Sequence, residues 1–260
     1  MKKTILLASL AIATAVAAQN ANAIDVKIRA GVASSTYDLD GDYLKATSTY
    51  TPLTIALTLA TDDGWYVDWA GTAGSGTHDG WAKPVVNATI CSGLCNANAS
   101  PAEDFKRTDA ALIAGKSFFN SNNGIAAAVY AGLKTGTTTL AAAKAGTNWQ
   151  EETFQSSGLV FGGGASFPLA GGQAGSIGVN IGLGLMGATW KDNKNSSATA
   201  SSAVGASFAV NYTYPFTPDF GVVVDLKGNS FSYNFAAPSS SPFVVNETVS
   251  SLGASLYAKF

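Results

Sequence analysis

Three aspartates spaced two residues apart form the most ligand-like pattern in this sequence of 260 residues. Asp38, Asp40 and Asp42 surround Gly41, and an oxygen-rich stretch bent by a glycine is typical of a calcium-binding loop. Thr49 stands where an EF-hand would supply its bidentate Glu. The stretch therefore predicts a weak divalent-cation loop or an ordinary acidic turn, and the missing ligand favours the turn.

The single histidine, His78, precedes Asp79 and is the candidate for acid–base chemistry. A histidine oriented by a carboxylate can activate water or a hydroxyl in a hydrolase. His78 and Asp79, taken together with Asp38 and Asp40, resemble the His-Asp pair and the acidic pair of omptin-type surface proteases. In that family, however, the histidine comes late in the chain. No nucleophile is identified by spacing. A solvated loop histidine is favoured, and we expect no enzyme activity, metal or cofactor.

The two cysteines, Cys91 and Cys95, are four residues apart in a long polar segment, residues 74–102. In an exported chain such a pair is most simply a small disulfide, because the compartment is oxidising. Half of a metal site is the alternative, and it would need further soft ligands.

The elements that position these residues are predicted to be β-strands, because apolar and polar residues alternate with a period of two over long segments. In 176–190, for example, Ile177, Val179 and Ile181 alternate with glycine and asparagine. Ten such segments are predicted, at residues 24–37, 49–60, 65–73, 103–119, 125–137, 149–169, 176–190, 200–216, 221–235 and 247–260.

The last of these segments carries a family resemblance. Leu252, Ala254, Leu256, Ala258 and Phe260 share one face, and the residues between them are mostly small or polar. A closing strand of this kind that ends on Phe resembles the C-terminal strand of Gram-negative outer-membrane β-barrels. The resemblance implies that Phe260 is the signal read by the barrel-assembly machinery, and that the protein contacts outer-membrane lipid and lipopolysaccharide in the cell outer membrane.

Composition supports a membrane location. Charged residues make up 12% of the chain, about half the share of a typical soluble domain, and the net charge is −2. Nucleic-acid binding is therefore not expected. The most apolar window of the predicted strands, residues 176–190, holds four glycines, so the chain is expected to span as a closed sheet rather than as helices. We predict an all-β fold, a single closed antiparallel up-and-down transmembrane β-barrel of about ten strands, with eight or twelve as alternatives.

The N-terminus has the organisation of a cleaved secretory signal. Lys2 and Lys3 precede an apolar stretch, and Ala21-Asn22-Ala23 offers a small-x-small cleavage site. Residues 1–23 are predicted to be the signal peptide and residues 24–260 the barrel domain.

Two further patterns favour the barrel. Connections are predicted to alternate between long and short, beginning with a long one after the first strand, as in barrels with short periplasmic turns. Aromatic residues fall near both ends of the strands and predict two interfacial girdles. The first girdle is predicted next to the short turns, from Trp65, Tyr66, Phe118, Phe119, Phe167, Tyr212, Tyr214, Phe216, Phe220 and Phe260. The second is predicted near the long connections, from Tyr37, Tyr43, Trp81, Trp149, Trp190, Phe231, Tyr233 and Phe235.

The polar face carries scattered charges that are expected to meet in the lumen, because the first and last strands of a closed barrel are neighbours. They are Asp25, Lys27, Arg29, Asp225, Lys227 and Lys259. Such charges form either a constriction that filters small solutes or an ion-pair network that plugs a narrow barrel, and the plug is slightly favoured.

The expected function is a pore-like or structural barrel with at most narrow passage of small solutes. The alternatives are an adhesion or ligand-binding module built on the surface loops and, ranked below it, a loop-borne surface hydrolase around His78.

We predict that Cys91 and Cys95 are joined in the exported protein, because the pair meets an oxidising compartment. Alkylation of the purified barrel under denaturing conditions should label neither cysteine before reduction and both after it, as read by mass spectrometry. Labelling of both thiols without reductant would contradict the disulfide.

Overall fold

The computed structural model describes residues 24–41, 45–79, 103–120, 124–141, 151–192, 197–236 and 243–260. The cysteines, Asp42 and the predicted signal peptide lie outside these residues, as do Tyr43, Trp81 and Trp149. Within the described residues, no helix is long and apolar enough to cross a membrane.

The described chain forms one antiparallel sheet that closes on itself. Its strands are β1 (Ile24–Gly41), β2 (Lys45–Tyr50), β3 (Leu53–Thr61), β4 (Trp65–Asp79), β5 (Glu103–Asn120), β6 (Ile125–Ala141), β7 (Glu151–Pro168), β8 (Ser176–Asp192), β9 (Ser197–Thr217), β10 (Phe220–Ala236) and β11 (Phe243–Lys259), with one short 3₁₀ turn at Ala170–Gly172. Sequential strands pair as neighbours, and β11 pairs with β1 over the register Lys27↔Lys259 to Gly41↔Val245. This closure satisfies the backbone groups of both edges, as a sheet in lipid requires.

Strands β2 and β3 together occupy the second position of the barrel. Both pair with β1 on one side and with β4 on the other. Pro52 separates them, because it has no backbone N–H for the ladder. The backbone N–H of Ala33 still donates to the Pro52 carbonyl oxygen at 3.0 Å. The barrel therefore has ten positions around its circumference, as predicted, with the second strand interrupted.

The first connection differs from the prediction. Strand β1 continues to Gly41 and β2 begins at Lys45, so the two strands are joined by a short link and not by a long loop. The register Asp38↔Thr47 extends the hairpin through the residues predicted to be a loop. The polar Asp, Ser and Thr residues of this hairpin are compatible with a β-strand, because the outer face of the strand is exposed to water at this height.

The outer surface is apolar over only about half of its height. Near the short turns, the outward residues of β6 and β11 are apolar and exposed, among them Val129, Leu133, Leu252 and Leu256. Further along the same outward faces the residues are polar: Thr135, Thr137 and Thr139 on β6, and Ser250, Thr248 and Asn246 on β11. The apolar band is the part that faces lipid, and the polar part stands outside the membrane.

Strand length agrees with this division. The 17 residues of β11 extend about 56 Å at roughly 3.3 Å per residue, which is about 43 Å of height at a tilt near 40°. An apolar band of about 25 Å then leaves about 18 Å of barrel beyond the membrane. We call this part the collar.

The collar inverts the polarity of the membrane band, because its apolar side chains point inward. They form a core of buried residues: Tyr37, Leu39, Ala46, Tyr50, Phe105, Leu140, Phe154, Met186, Ala188, Trp190, Ala198, Ala200, Ala203, Phe231, Tyr233, Phe235, Phe243 and Val245. We call this set the collar core. It fills the inside of the barrel at that level as the core of a soluble β-protein would.

The two predicted girdles have different outcomes. Next to the short turns most of the predicted aromatics are exposed on the outer surface, among them Trp65, Phe118, Phe216 and Phe260. Tyr66 points inward with Asp68, and Phe119 is in phase with the inward Gly115 but is 70% exposed at the end of its strand. The second girdle is wrong for the described residues, since Tyr37, Trp190, Phe231, Tyr233 and Phe235 all belong to the collar core. Their position near the long connections was predicted correctly. At that height, however, the strands lie outside the membrane, so these rings pack inward instead of facing lipid headgroups.

Large inward rings fit because glycines on neighbouring strands leave room for them. Phe231 lies against Gly184 and Gly205, and Tyr130 lies against Gly162 and Gly182. A side chain at any of these glycines would meet the ring. The glycines thus allow rings to lie along the barrel wall.

We predict that Gly205→Ala destabilises the barrel by about 1 to 3 kcal/mol through overpacking. A Cβ at this position would overlap Cδ1 of Phe231 and the carbonyl oxygen of Ser230. Urea unfolding of the refolded barrel measures the change. The control is Gly187→Ala, whose Cβ would meet nothing closer than 3.6 Å and should cost little; equal losses in the two variants would contradict the packing argument.

Candidate functional site

The barrel interior divides at the base of the collar into a sealed part and an open part. In the collar, Tyr37, Phe105, Tyr233 and Phe235 are completely buried. In the membrane band, most lumen-facing side chains are only half-buried, and Lys227 is 37% exposed although its neighbour Leu226 faces lipid. Water therefore reaches the lumen at membrane level but not the collar core.

A charge cluster at the centre of the seal connects opposite walls. Arg107 on β5 donates from Nη1 to Oε1 of Glu247 on β11 at 2.6 Å and to Oγ1 of Thr138 at 2.7 Å. Three positions of the barrel separate β5 from β11 on one side and five on the other. Both charged side chains are 3% exposed. The ion pair therefore spans the lumen and is itself shielded from water.

Further contacts hold Arg107 in place. Its Nε and Nη2 donate to the two carboxylate oxygens of Asp109 at 2.8 and 2.7 Å. Its guanidinium carbon lies 4.9 Å from the centroid of the Tyr37 ring, and the Tyr233 hydroxyl donates to Oε2 of Glu247 at 3.2 Å. A bidentate, fully paired guanidinium is the geometry in which a buried charge is tolerated.

Aromatic rings complete the seal beside this cluster. Phe154 on β7 packs edge-on against Tyr233 on β10, with centroids 5.2 Å apart. Phe105 on β5 packs against Tyr37 on β1 at 5.3 Å and against Tyr50 on β2 at 4.9 Å. These pairs join strands that are not neighbours, so the rings fill the space between the walls.

The collar environment shifts the proton affinity of its titratable groups. Burial raises the pKa of Tyr37 well above its ordinary value, and Glu247 adds to the effect. Burial raises the pKa of Tyr50 to about 12, and burial with Glu247 also raises the pKa of Tyr233. Burial by itself lowers the pKa of Arg107, but Asp109 and Glu247 outweigh it and raise the pKa above its usual range. The phenols stay neutral and the guanidinium stays charged.

The predicted charges of the polar face lie at lumen-facing positions below the seal, where they make separate contacts. Lys227 pairs with Asp225 at 2.9 Å. Lys27 lies 4.3 Å from the centroid of the Tyr257 ring, and it interacts electrostatically with Arg29 and Lys259. At the rim next to the short turns, Lys259 pairs with Asp25 at 2.6 Å. The last pair is more than 40% exposed at both partners.

Sequence reasoning missed Asp68 on β4, which belongs to the same lumen region. Its carboxylate accepts a hydrogen bond from Oγ1 of Thr58 at 2.7 Å and interacts electrostatically with Arg29, Lys227 and Lys27. The signal was present, because Asp68 alternates with Val67 and Trp69. The cluster of Arg107, Asp109 and Glu247 was missed too; alternation places each on a lumen face, but nothing in the sequence shows which strands meet across the lumen.

The aspartates of the predicted cation loop lie in a different structural setting from the one predicted. Asp38 and Asp40 lie in strand β1 and not in a loop, and Asp38 accepts a hydrogen bond from Thr47 at 3.3 Å. Within the described residues, no group of three or more His, Cys, Asp or Glu side chains has the arrangement of a metal site. The paired strands, rather than a ligand loop, account for these aspartates.

The prediction of a solvated His78 is wrong. His78 lies near the end of β4, is 2% exposed, and its Nε2 lies 3.4 Å from the carbonyl oxygen of Ala141 on β6. Alternation explains this, since His78 is in phase with the inward Gly74 and Gly76, and β4 extends past residue 73.

Comparison with solved structures finds the same fold. The outer membrane protease OmpT from Escherichia coli superposes with a TM-score of 0.61 at 11% identity, covering 91% of this chain and 96% of that one. The translocator domain of the autotransporter NalP from Neisseria meningitidis superposes with a TM-score of 0.50 at 8% identity, covering 100% of this chain and 98% of that one. No protein-family model matches the sequence, and no curated protein matches it.

The similarity at these identities concerns the fold, and it confirms the predicted closed antiparallel β-barrel, which is the fold of these outer-membrane proteins. The outward apolar band on a closed barrel requires a surrounding membrane. Fold and band together confirm the predicted location in the outer membrane.

We predict that the stability of the folded barrel decreases as pH rises above about 10. Tyr50 has an ordinary pKa near 10 in the unfolded chain and one of about 12 in the barrel, so the unfolded chain loses the proton first. The stabilising contribution is complete below pH 10 and is lost as pH rises toward 12, on the order of 2 kcal/mol. Urea midpoints measured at about pH 8 to about pH 11 test this.

Tyr50→Phe should reduce the pH dependence, because phenylalanine does not ionise. Tyr214→Phe, on the outer surface, should keep the wild-type dependence. Midpoints of the wild type that stay constant across this range would contradict the assignment.

Proposed function

We propose that the protein is a non-enzymatic structural barrel that is closed to solutes in its resting state and holds its surface connections above the membrane. The observation that carries the proposal is the Arg107–Glu247 ion pair across the collar, embedded in the collar core. Conduction would require this pair to separate and several rings to move together. Separating a buried pair costs about 3 to 5 kcal/mol, which keeps an open state rare.

The collar supports the surface-display part of the proposal. It raises the ends of the strands about 18 Å above the apolar band, and its core makes that height rigid. The alternative of a surface interaction module is compatible with this role, because a rigid collar would hold the ends of the strands away from the lipid.

We also propose that His78 has no catalytic role, since a buried imidazole cannot reach a substrate outside the barrel. Lipid and lipopolysaccharide are the proposed partners of the outer surface, with hydrocarbon chains on the apolar band and sugar headgroups beside the Thr- and Ser-rich collar. Assembly by the barrel-assembly machinery through Phe260 remains a prediction.

Planar-bilayer recording tests the closed barrel. The wild type should add no steps of conductance, whereas a Phe154→Ala, Tyr233→Ala variant should conduct, because it removes two rings that meet inside the collar. The matched control, Phe161→Ala with Phe208→Ala, removes two rings from the lipid-facing surface and should stay silent. Heat-modifiable electrophoretic migration establishes that each variant is folded.

Steady conductance by the wild type would overturn the closed barrel in favour of narrow solute passage. If the Phe154→Ala, Tyr233→Ala variant migrates as a folded barrel and still does not conduct, the two rings do not form the seal.

A further inference from the structure

The lumen below the seal carries more positive than negative charge. Lys227 is neutralised by Asp225, and Lys259 is neutralised by Asp25 at the rim. Lys27 and Arg29 then share a single carboxylate, Asp68. Among the described residues of the membrane band, this leaves one lumen cation without a partner of opposite charge.

The collar does not supply the missing charge. Arg107 is paired with Asp109 and Glu247, and the fourth member of that group, Lys134, interacts electrostatically with both carboxylates while its Nζ lies 5.3 Å from the Phe231 ring. Two cations and two carboxylates balance in this group, and the buried Glu152 of β7, farther along the collar, accepts a hydrogen bond from the indole N–H of Trp190. The excess in the membrane band is therefore local to β1 and β4.

Arg29 is the cation best placed to bind a ligand. Lys27 already faces the ring of Tyr257, whereas the Asp68 carboxylate is hydrogen-bonded to Thr58 and meets Arg29 only at longer range. Within the described strands no carboxylate lies within ion-pair distance of Arg29, and the side chain is half-buried. A half-buried guanidinium of this kind favours a planar oxyanion that accepts two hydrogen bonds.

Two half-buried tyrosine rings also face the lumen of the membrane band. Tyr66 packs against Gly115 and interacts electrostatically with both Asp68 and Tyr130. Tyr130 in turn lies along the wall over Gly162 and Gly182, with its hydroxyl 3.3 Å from the carbonyl oxygen of Ile181. Both tyrosines are half-buried, so their rings are accessible from the lumen.

We propose that the lumen below the seal is a binding site for a small monocarboxylate with an apolar or aromatic body. The carboxylate pairs with Arg29 and supplies the single missing negative charge, and the body packs on the rings of Tyr66 and Tyr130. Because the collar is sealed, the site is open only at the end of the barrel next to the short turns, which is the periplasmic end. The one-sided access rests on the proposed closed barrel, whereas the binding itself does not.

Titration calorimetry with sodium benzoate tests the site on the folded full-length barrel in a zwitterionic detergent. Benzoate should bind, and benzamide, which has the same shape without the charge, should bind at least about tenfold more weakly, as expected for loss of a charge-assisted hydrogen bond. Arg29→Gln should weaken benzoate about tenfold and leave benzamide unchanged. Asp68→Asn, which removes the competing carboxylate, should strengthen benzoate binding.

Lys106→Gln is the matched control, because it removes one positive charge from the exposed outer face of the collar; it should leave benzoate affinity unchanged. The site is overturned if the wild type fails to bind benzoate, if benzamide binds equally well, or if Lys106→Gln weakens binding as much as Arg29→Gln. Asp68→Asn changes charge in the opposite direction, so a gain of affinity there supports the site even if Arg29→Gln does not fold. Conductance of the wild type would contradict only the proposed closed barrel. It would not affect the conclusion about benzoate binding.

Discussion

The barrel depends on a reversal of polarity partway along every strand. In lipid the outer face must be apolar and the lumen can be wet, whereas in water the outer face must be polar and the interior must be dry. A strand of period two meets both demands only by exchanging the character of its two faces at the membrane boundary. Leu252 and Leu256 face outward in the band, and Val245 and Phe243 face inward in the collar, on the same strand β11.

The collar resolves the difficulty that a long barrel would otherwise face. A wide water-filled tube above the membrane would bury little apolar surface and would gain little stability from folding. Packing the rings of Phe105, Phe154, Tyr233 and their neighbours across the lumen turns this part into a small β-domain with its own core. The Arg107–Glu247 pair fixes the distance between opposite walls, and the proposed closure to solutes rests on the same contacts.

Glycines contribute to both halves of the interior. Around Phe231 they allow a large ring to lie inside the collar without distorting the wall, and around Tyr130 they leave the lumen of the band open. Because rings lie along the wall instead of across the lumen there, the polar side chains of β1 and β4 remain accessible to water. A sealed collar above an accessible, positively charged lumen is thus one consequence of where aromatic residues oppose glycines.

Much of the fold was predictable from local pattern. Alternation located all ten strand positions, the apolar outer faces and the girdle near the short turns, because these depend on neighbours within one strand and on contact with lipid. The extents of β1 and β4 were underestimated, since Asp38, Asp40 and His78 were judged by polarity typical of loops. Polar residues are compatible with a strand wherever one of its faces stands in water, and the sequence does not mark the level at which the membrane ends.

The sequence by itself determined the class of fold, its membrane location and the alternation of faces along each strand, because a period of two and the nature of the surrounding solvent are local properties. Only the tertiary structure decided which lumen residues meet. Arg107 and Glu247 are separated by 140 positions, and their contact depends on the number of strands, their stagger and the curvature of the closed sheet. The same closure turned the aromatic residues of the collar from an expected girdle into a seal, because the width of the barrel decides whether side chains from opposite walls can touch.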